Sequence, residues 1–194
     1  IGVEIARRLV EILKNEEVHG IIKIMPVVNA LSFEQVDRNT PVDKSNLNRV
    51  FPGNPKGMLT ERIAHTFLEE FVGSLDDYLD LHSGGREPLV DYVYIQNDEA
   101  MSRAFGSKIL YRPEHDYVGS VSIYAKAKGV NCMTVEVGGL AVREADVQQG
   151  VAGVLNVRRH KGMINGEAEQ RADQIVVTHL EHVNPRQGGL MVPG

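Results

Sequence analysis

Three short segments carry residues whose chemistry goes beyond packing. Asp80-Leu81-His82-Ser83-Gly84-Gly85 sets a carboxylate and an imidazole two residues apart, hence on one face of a strand, with two glycines behind them where a ligand can approach the backbone. A histidine so placed suits a metal ligand or a general base, and Asp80 could hold a ligand histidine by its other ring nitrogen. Asn46-Leu47-Asn48-Arg49-Val50-Phe51-Pro52-Gly53 offers, in Arg49 between asparagines, a fork of donors suited to a carboxylate. Arg38, upstream in the same loop, is a second positive charge. Glu136, inside Thr134-Val135-Glu136-Val137-Gly138-Gly139, is a carboxylate in a strand-like run, costly to bury unless paired, bound to metal or protonated. Each segment also has an ordinary reading: a histidine at a turn, an Asx-turn loop with a solvated arginine, a glutamate facing water. His179 and His182 are three apart in a strand-like run and face opposite sides, which disfavours a shared metal.

Positioning such side chains requires elements, and the chain's periodicities supply them. Val3, Ala6, Leu9, Val10 and Leu13 predict an amphipathic helix over 3–14. Residues 21–28, Ile-Ile-Lys-Ile-Met-Pro-Val-Val, read as a strand buried on both faces, and 29–57 as a long irregular loop. Leu59, Ile63, Phe67 and Phe71 step by four and predict one helix over 58–73. Strands follow at 77–82, 92–95, 108–111 and 131–137, alternating with helices over 98–105, 118–128 and 143–160. This alternation predicts an α/β fold with a mainly parallel, mixed sheet covered by helices on both faces. Residues 175–183 form one β run with no helix after it, the expected start of a separate β-rich unit. Sites in open α/β sheets gather beyond the carboxyl ends of the strands, where Asp80, His82 and Glu136 fall.

Composition narrows the function classes. The 194 residues carry 21 basic and 26 acidic side chains, a net charge of −5, which argues against a nucleic-acid partner that would need a basic stripe. Cys132 is the single cysteine, so no intramolecular disulfide forms. No apolar run approaches the roughly 18 residues of a spanning helix, so no membrane partner is expected. A soluble cytoplasmic protein is the expectation. Ile1 opens directly into helical sequence and Gly194 follows a strand-like run, so both ends read as cut inside structure.

Taken together and in order, Asn48-Arg49-Val50-Phe51-Pro52-Gly53, Leu79-Asp80-Leu81-His82-Ser83-Gly84-Gly85 and Val135-Glu136-Val137-Gly138-Gly139 resemble the succinylglutamate desuccinylase/aspartoacylase family, which belongs with the zinc carboxypeptidases. The likeness extends to Gly153-Val154-Leu155-Asn156 and to Arg186-Gln187-Gly188-Gly189-Leu190, which looks like entry to a C-terminal β domain. It implies a zinc-carboxypeptidase-like α/β domain over 1–170 and the start of the β domain over 171–194. It also implies one zinc ion held by two histidines and a glutamate, with His82 the third ligand and Asp80 behind it. Two ligands, in a His-Gly-x-Glu motif, would then lie upstream of Ile1, making these residues a fragment that is inactive alone. The resemblance further casts Glu136 as the general base, Asn48 and Arg49 as the substrate-carboxylate clamp and Arg38 as the arginine that polarises the scissile carbonyl. The implied activity is hydrolysis of an N-acyl amino acid or similar small anionic amide. A carboxypeptidase- or esterase-like hydrolase and a non-catalytic carboxylate binder stay open, as does the oligomeric state, homo-oligomer included.

Overall fold

The computed structural model describes residues 1–84, 90–139 and 141–179. Five strands form one mixed sheet in the order β1-β4-β2-β3-β5: β1 (Asp77–His82), β2 (Val90–Ile95), β3 (Ile109–Tyr111), β4 (Asn131–Gly138) and β5 (Ile175–Val177). β1 runs parallel to β4, and β2 parallel to β3, but β2 and β4 are antiparallel. β3 and β5 are also parallel. The expected mixed, mainly parallel sheet is therefore present.

Alternation along the strands sorts side chains into two cores. On one face Met133, Val135 and Val137 of β4 pack with Val93 and Ile95 of β2 under three helices: α1 (Gly2–Leu13), α4 (Glu99–Ala104) and α6 (Glu144–His160). Gly150 and Gly153 leave the groove on α6 that receives Ile5 and the ring of Phe105; a Cβ there would stand 2.3 Å and 2.6 Å from those side chains. On the other face Tyr78 and Cys132 pack with Phe51, Ala64, Leu68 and Ala125 beneath α3 (Leu59–Thr66) and α5 (Val121–Ala127). That second core covers only the amino-terminal ends of β1 and β4. Asp80, His82, Thr134 and Glu136 stand on the same face, farther along and more open.

Four sequence expectations need correction. Residues 21–28 are not a strand: among the described residues they make no backbone hydrogen bond, because no neighbouring chain lies alongside. Ile22 and Ile24 turn half inward while Ile21 is 78% exposed, and a cavity of about 590 Å³ separates this segment from Leu79 and Leu81 on the outer side of β1. The helix expected over 58–73 is α3 followed by a π turn (Phe67–Phe71) and a 3₁₀ turn, which stack Phe67 on Phe71 at 5.3 Å. The long loop contains α2 (Ala30–Glu34), capped by Asn29, whose amide also donates to the buried Thr40 hydroxyl at 2.8 Å. Finally, the run expected over 175–183 is a strand only at Ile175–Val177 among the described residues, and these three β-branched residues pair with the parallel edge of β3 and extend the same sheet. Gly85, residues 180–183 including His182, and the segment Arg186–Leu190 lie outside the described residues.

The loop is fastened to the fold by Asp43. Its carboxylate accepts from the Thr60 amide at 2.8 Å and the Thr60 hydroxyl at 2.5 Å, capping α3 from a distance in sequence, and these bonds hold its pKa below the usual carboxylate value. Asp43→Ala is expected to cost about 0.5–2 kcal/mol in urea denaturation at pH 7. A depressed folded-state pKa means that the contribution is complete above the unfolded value, about 3.9, and lost as pH falls through the folded value. The gap between wild type and variant should therefore close as the pH is lowered below about 4. A gap that stays constant would assign the effect to packing.

Candidate functional site

Sheet register, not sequence proximity, assembles the site. In the β1–β4 pair His82 lies opposite Glu136 and Asp80 opposite Thr134. In the β2–β4 pair Tyr92 lies opposite Glu136 and Tyr94 opposite Thr134. One row therefore reads His82, Glu136, Tyr92, and the row below it Asp80, Thr134, Tyr94.

Asp80 Oδ2 meets His82 Nε2 at 2.9 Å, and Glu136 Oε1 lies 3.5 Å from Nδ1 on the other side of the ring. The first is a full hydrogen bond; the second is an ion-pair approach longer than one. The negative charge of Asp80, opposed by burial and reinforced by the Asp80 hydrogen bond and by the Glu136 carboxylate, pushes the His82 pKa up to about 10. Without a metal, protonation of His82 is favoured, which sets a positive charge between two carboxylates. That charge also compensates the burial of Glu136, whose side chain is 15% exposed.

The carboxylate-binding candidates arrive from the long loop. Asn46 accepts from the Asn48 amide at 3.0 Å and shapes a 3₁₀ turn (Leu47–Arg49). Asn48 Oδ1 in turn accepts from Val121 N at 2.9 Å, which caps α5 and leaves its Nδ2 as a donor. Arg49 is exposed, with Nη1 donating to the Asn48 carbonyl at 2.6 Å. The Arg49 backbone closes on Gly119 so tightly that a Cβ at Gly119 would stand 2.2 Å from the Arg49 carbonyl oxygen. Arg38 lies on an exposed turn after α2 and makes no hydrogen bond or ion pair with Asp80, His82 or Glu136. The structure therefore brings Asp80, His82 and Glu136 together, ties Asn48 and Arg49 to the start of α5, and leaves Arg38 apart.

A catalytic zinc needs about three protein ligands and an open position. Among the described residues no group of three or more His, Cys, Asp or Glu side chains is arranged to hold a metal ion. His82 could supply one nitrogen, in its neutral form, so the described residues do not by themselves make the site. Sequence reasoning missed Tyr92 and Tyr94. Their spacing put them on one face, but only the antiparallel β2–β4 register shows that this is the face of Glu136.

Residues 1–161 match the model of the succinylglutamate desuccinylase/aspartoacylase catalytic domain. An N-alpha-acetyl-L-2,4-diaminobutyric acid deacetylase of Halomonas elongata is 31% identical over 187 residues, covering 87% of this chain and 53% of that protein. An ectoine utilization protein of Ruegeria pomeroyi, solved with product bound, superposes with a TM-score of 0.75 at 28% identity, over 92% of this chain and 58% of its own. An aspartoacylase family protein of Mesorhizobium loti gives a TM-score of 0.73 at 30% identity, over 86% and 55%. The chain thus spans between half and three fifths of the length of these relatives.

Proposed function

Because this chain belongs to the succinylglutamate desuccinylase/aspartoacylase family, we propose that the protein carrying it hydrolyses the amide bond of an N-acyl amino acid or a related small anionic carboxylate. The observation that carries the reading is the row in which Glu136 faces His82 across paired strands, with Asp80 behind the imidazole. Glu136 is the proton carrier, taking a proton from the attacking water and returning it to the leaving amine. Arg49 and the Asn48 Nδ2 hold the substrate carboxylate through charge-assisted hydrogen bonds and orient the amide over that row. Arg38 serves the scissile carbonyl in this reading, which requires its exposed turn to fold toward the site on binding. Zinc belongs to the proposal for the intact enzyme, with His82 as one ligand; since the described residues do not complete its site, these steps are those of the chain's own side chains. The Halomonas relative acts on an acetylated amino acid, so acetyl amides are the first substrates to assay. The compartment of the proposal is the cytoplasm, in keeping with a single buried thiol at Cys132. No helix among the described residues is long and apolar enough to cross a membrane.

A second reading, a carboxylate binder without catalysis, draws on the incomplete ligand set. The full-length protein, supplied with zinc, should cleave N-acetyl amino acids with kcat/KM at least 10-fold above that for dipeptides and esters. A preference for dipeptides or esters would favour a carboxypeptidase- or esterase-like enzyme. Carboxylate binding without turnover of any of the three would overturn the deacylase reading.

A further inference from the structure

Glu136 has a second neighbour in its row besides His82. Tyr92 lies opposite it across the antiparallel β2–β4 pair, and residues so opposed have Cβ atoms about 4.5–5.5 Å apart. Side chains stand roughly perpendicular to a sheet, and a phenol is longer than a glutamate side chain. In that row Tyr92 therefore presents its hydroxyl beyond the carboxylate, on the side from which a substrate comes. Tyr92 is half-buried and belongs to neither apolar core, so packing does not explain it.

The hydroxyl is also held. It lies 3.3 Å from the Tyr94 hydroxyl, a long hydrogen bond, and the two rings meet edge-on at 5.2 Å. Tyr94 is fixed in turn by the rings of Tyr111 at 5.2 Å and Tyr117 at 6.2 Å. The negative charge of Glu136 draws the Tyr92 hydrogen to its own side and leaves the Tyr92 oxygen to accept from Tyr94. Among the described residues Tyr92 has no other hydrogen-bond partner, so its own proton is free to be donated. Burial raises the pKa of both phenols, and the Glu136 charge adds to it. Tyr92 thus stays protonated at neutral pH and does not compete with Glu136 as a base.

Amide hydrolysis needs an acceptor and a donor on either side of one carbon. As the water oxygen bonds to the acyl carbon, Glu136 takes the water's proton and the carbonyl π pair moves onto oxygen. That oxyanion is stabilised by a donor already in place. Arg38 stands on an exposed turn and has to move to reach it, whereas Tyr92 does not. We propose that the Tyr92 hydroxyl is a catalytic donor to the oxyanion of the tetrahedral intermediate, with Tyr94 the positioning residue that orients it. On collapse the pair re-forms the carbonyl, the C–N bond breaks, and the leaving nitrogen takes the proton from Glu136. Tyr92 ends as it began. The role rests on the deacylase reading for its reaction and on the β2–β4 register for its place.

The test uses the full-length protein supplied with zinc, N-acetyl amino acids as substrates, and the matching methylphosphonamidate, whose tetrahedral phosphorus carries an anionic oxygen. Tyr92→Phe, which removes only the hydroxyl, should lower kcat at least about 10-fold, toward the 10²–10³ of a lost oxyanion donor, with KM little changed. It should weaken the phosphonamidate by the same factor as kcat/KM and leave the affinity for the free amino acid unchanged. Tyr94→Phe should lower kcat about 2- to 10-fold, the worth of one neutral hydrogen bond, again without raising KM. A Tyr92→Phe enzyme within about 2-fold of wild type in kcat would overturn the role and leave the deacylase. So would a loss of kcat with phosphonamidate affinity intact, which would mark a structural effect. Absence of N-acetyl amino acid hydrolysis by the wild type would overturn the deacylase reading and the role with it.

Discussion

Glu136→Gln should lower kcat of the full-length enzyme by at least about 10²-fold with little change in KM. Glutamine keeps the volume and shape of the side chain on β4, so the Cys132 core and the β1–β4 register should persist. What disappears is the proposed proton acceptor, and with it the negative charge 3.5 Å from His82 Nδ1. A substrate held by Asn48 and Arg49 does not depend on that charge, so binding and chemistry should separate. A loss smaller than about 10-fold in single-turnover experiments would move the base to another residue. An increase in KM with kcat intact would recast Glu136 as part of the substrate clamp.

A large effect on stability is expected at Gly119. This residue has φ +79°. A Cβ there would stand 2.2 Å from the Arg49 carbonyl oxygen and 2.6 Å from its carbon, both backbone atoms that cannot swing aside. Left-handed strain costs about 1–3 kcal/mol and overpacking a further 1–3, so Gly119→Ala should cost about 2–6 kcal/mol. For a chain of this size that lowers Tm by roughly 5–20 °C. Gly129→Ala provides the comparison: its φ is +81°, but a Cβ there meets nothing within 4 Å. It should show the conformational cost alone, about 1–3 kcal/mol. Equal losses in the two variants would mean that the Arg49 turn and the 117–121 segment are not in close contact. Where Gly119→Ala still folds, displacement of Arg49 should raise KM for carboxylate substrates while Glu136 continues to turn them over.

How much of this was legible in the sequence depended on whether the governing interaction was local. Helical periodicity located α1 and α6, a short polar–apolar run stopped by Ser83-Gly84 located β1, and a run with β-branched residues located β4, because the signal and the structure span the same few residues. Pairing is not local. Nothing in Tyr92-Val93-Tyr94 announces that β2 runs antiparallel to β4, so the tyrosine face was invisible although its alternation was plain. Ile21 to Val28 had every strand-like property except a neighbour, and a strand is made by its neighbour. The apolar repeat Leu59, Ile63, Phe67, Phe71 read as one helix because a π turn preserves roughly the same face while changing the hydrogen bonding. At the site, Asp80 and His82 could be paired from alternation alone, whereas Glu136 joins them through the β1–β4 register. Loop residues were least legible. Asn48 also serves as a helix cap, and Arg38 remains on an exposed turn, both outcomes of tertiary contacts that local composition does not encode.

The outer edge of β1 has a consequence for handling these 194 residues in solution. Within the described sheet β1 is hydrogen-bonded on one side only, and Leu79, Leu81, Ile22 and Ile24 line the cavity along its other side. A bare row of amides and carbonyls beside apolar side chains is a template for intermolecular strand addition. Self-association by that route depends on encounters between molecules, so its initial rate should rise with the square of protein concentration. Dilution would then preserve the monomer, and a charged side chain introduced along that edge would slow its loss.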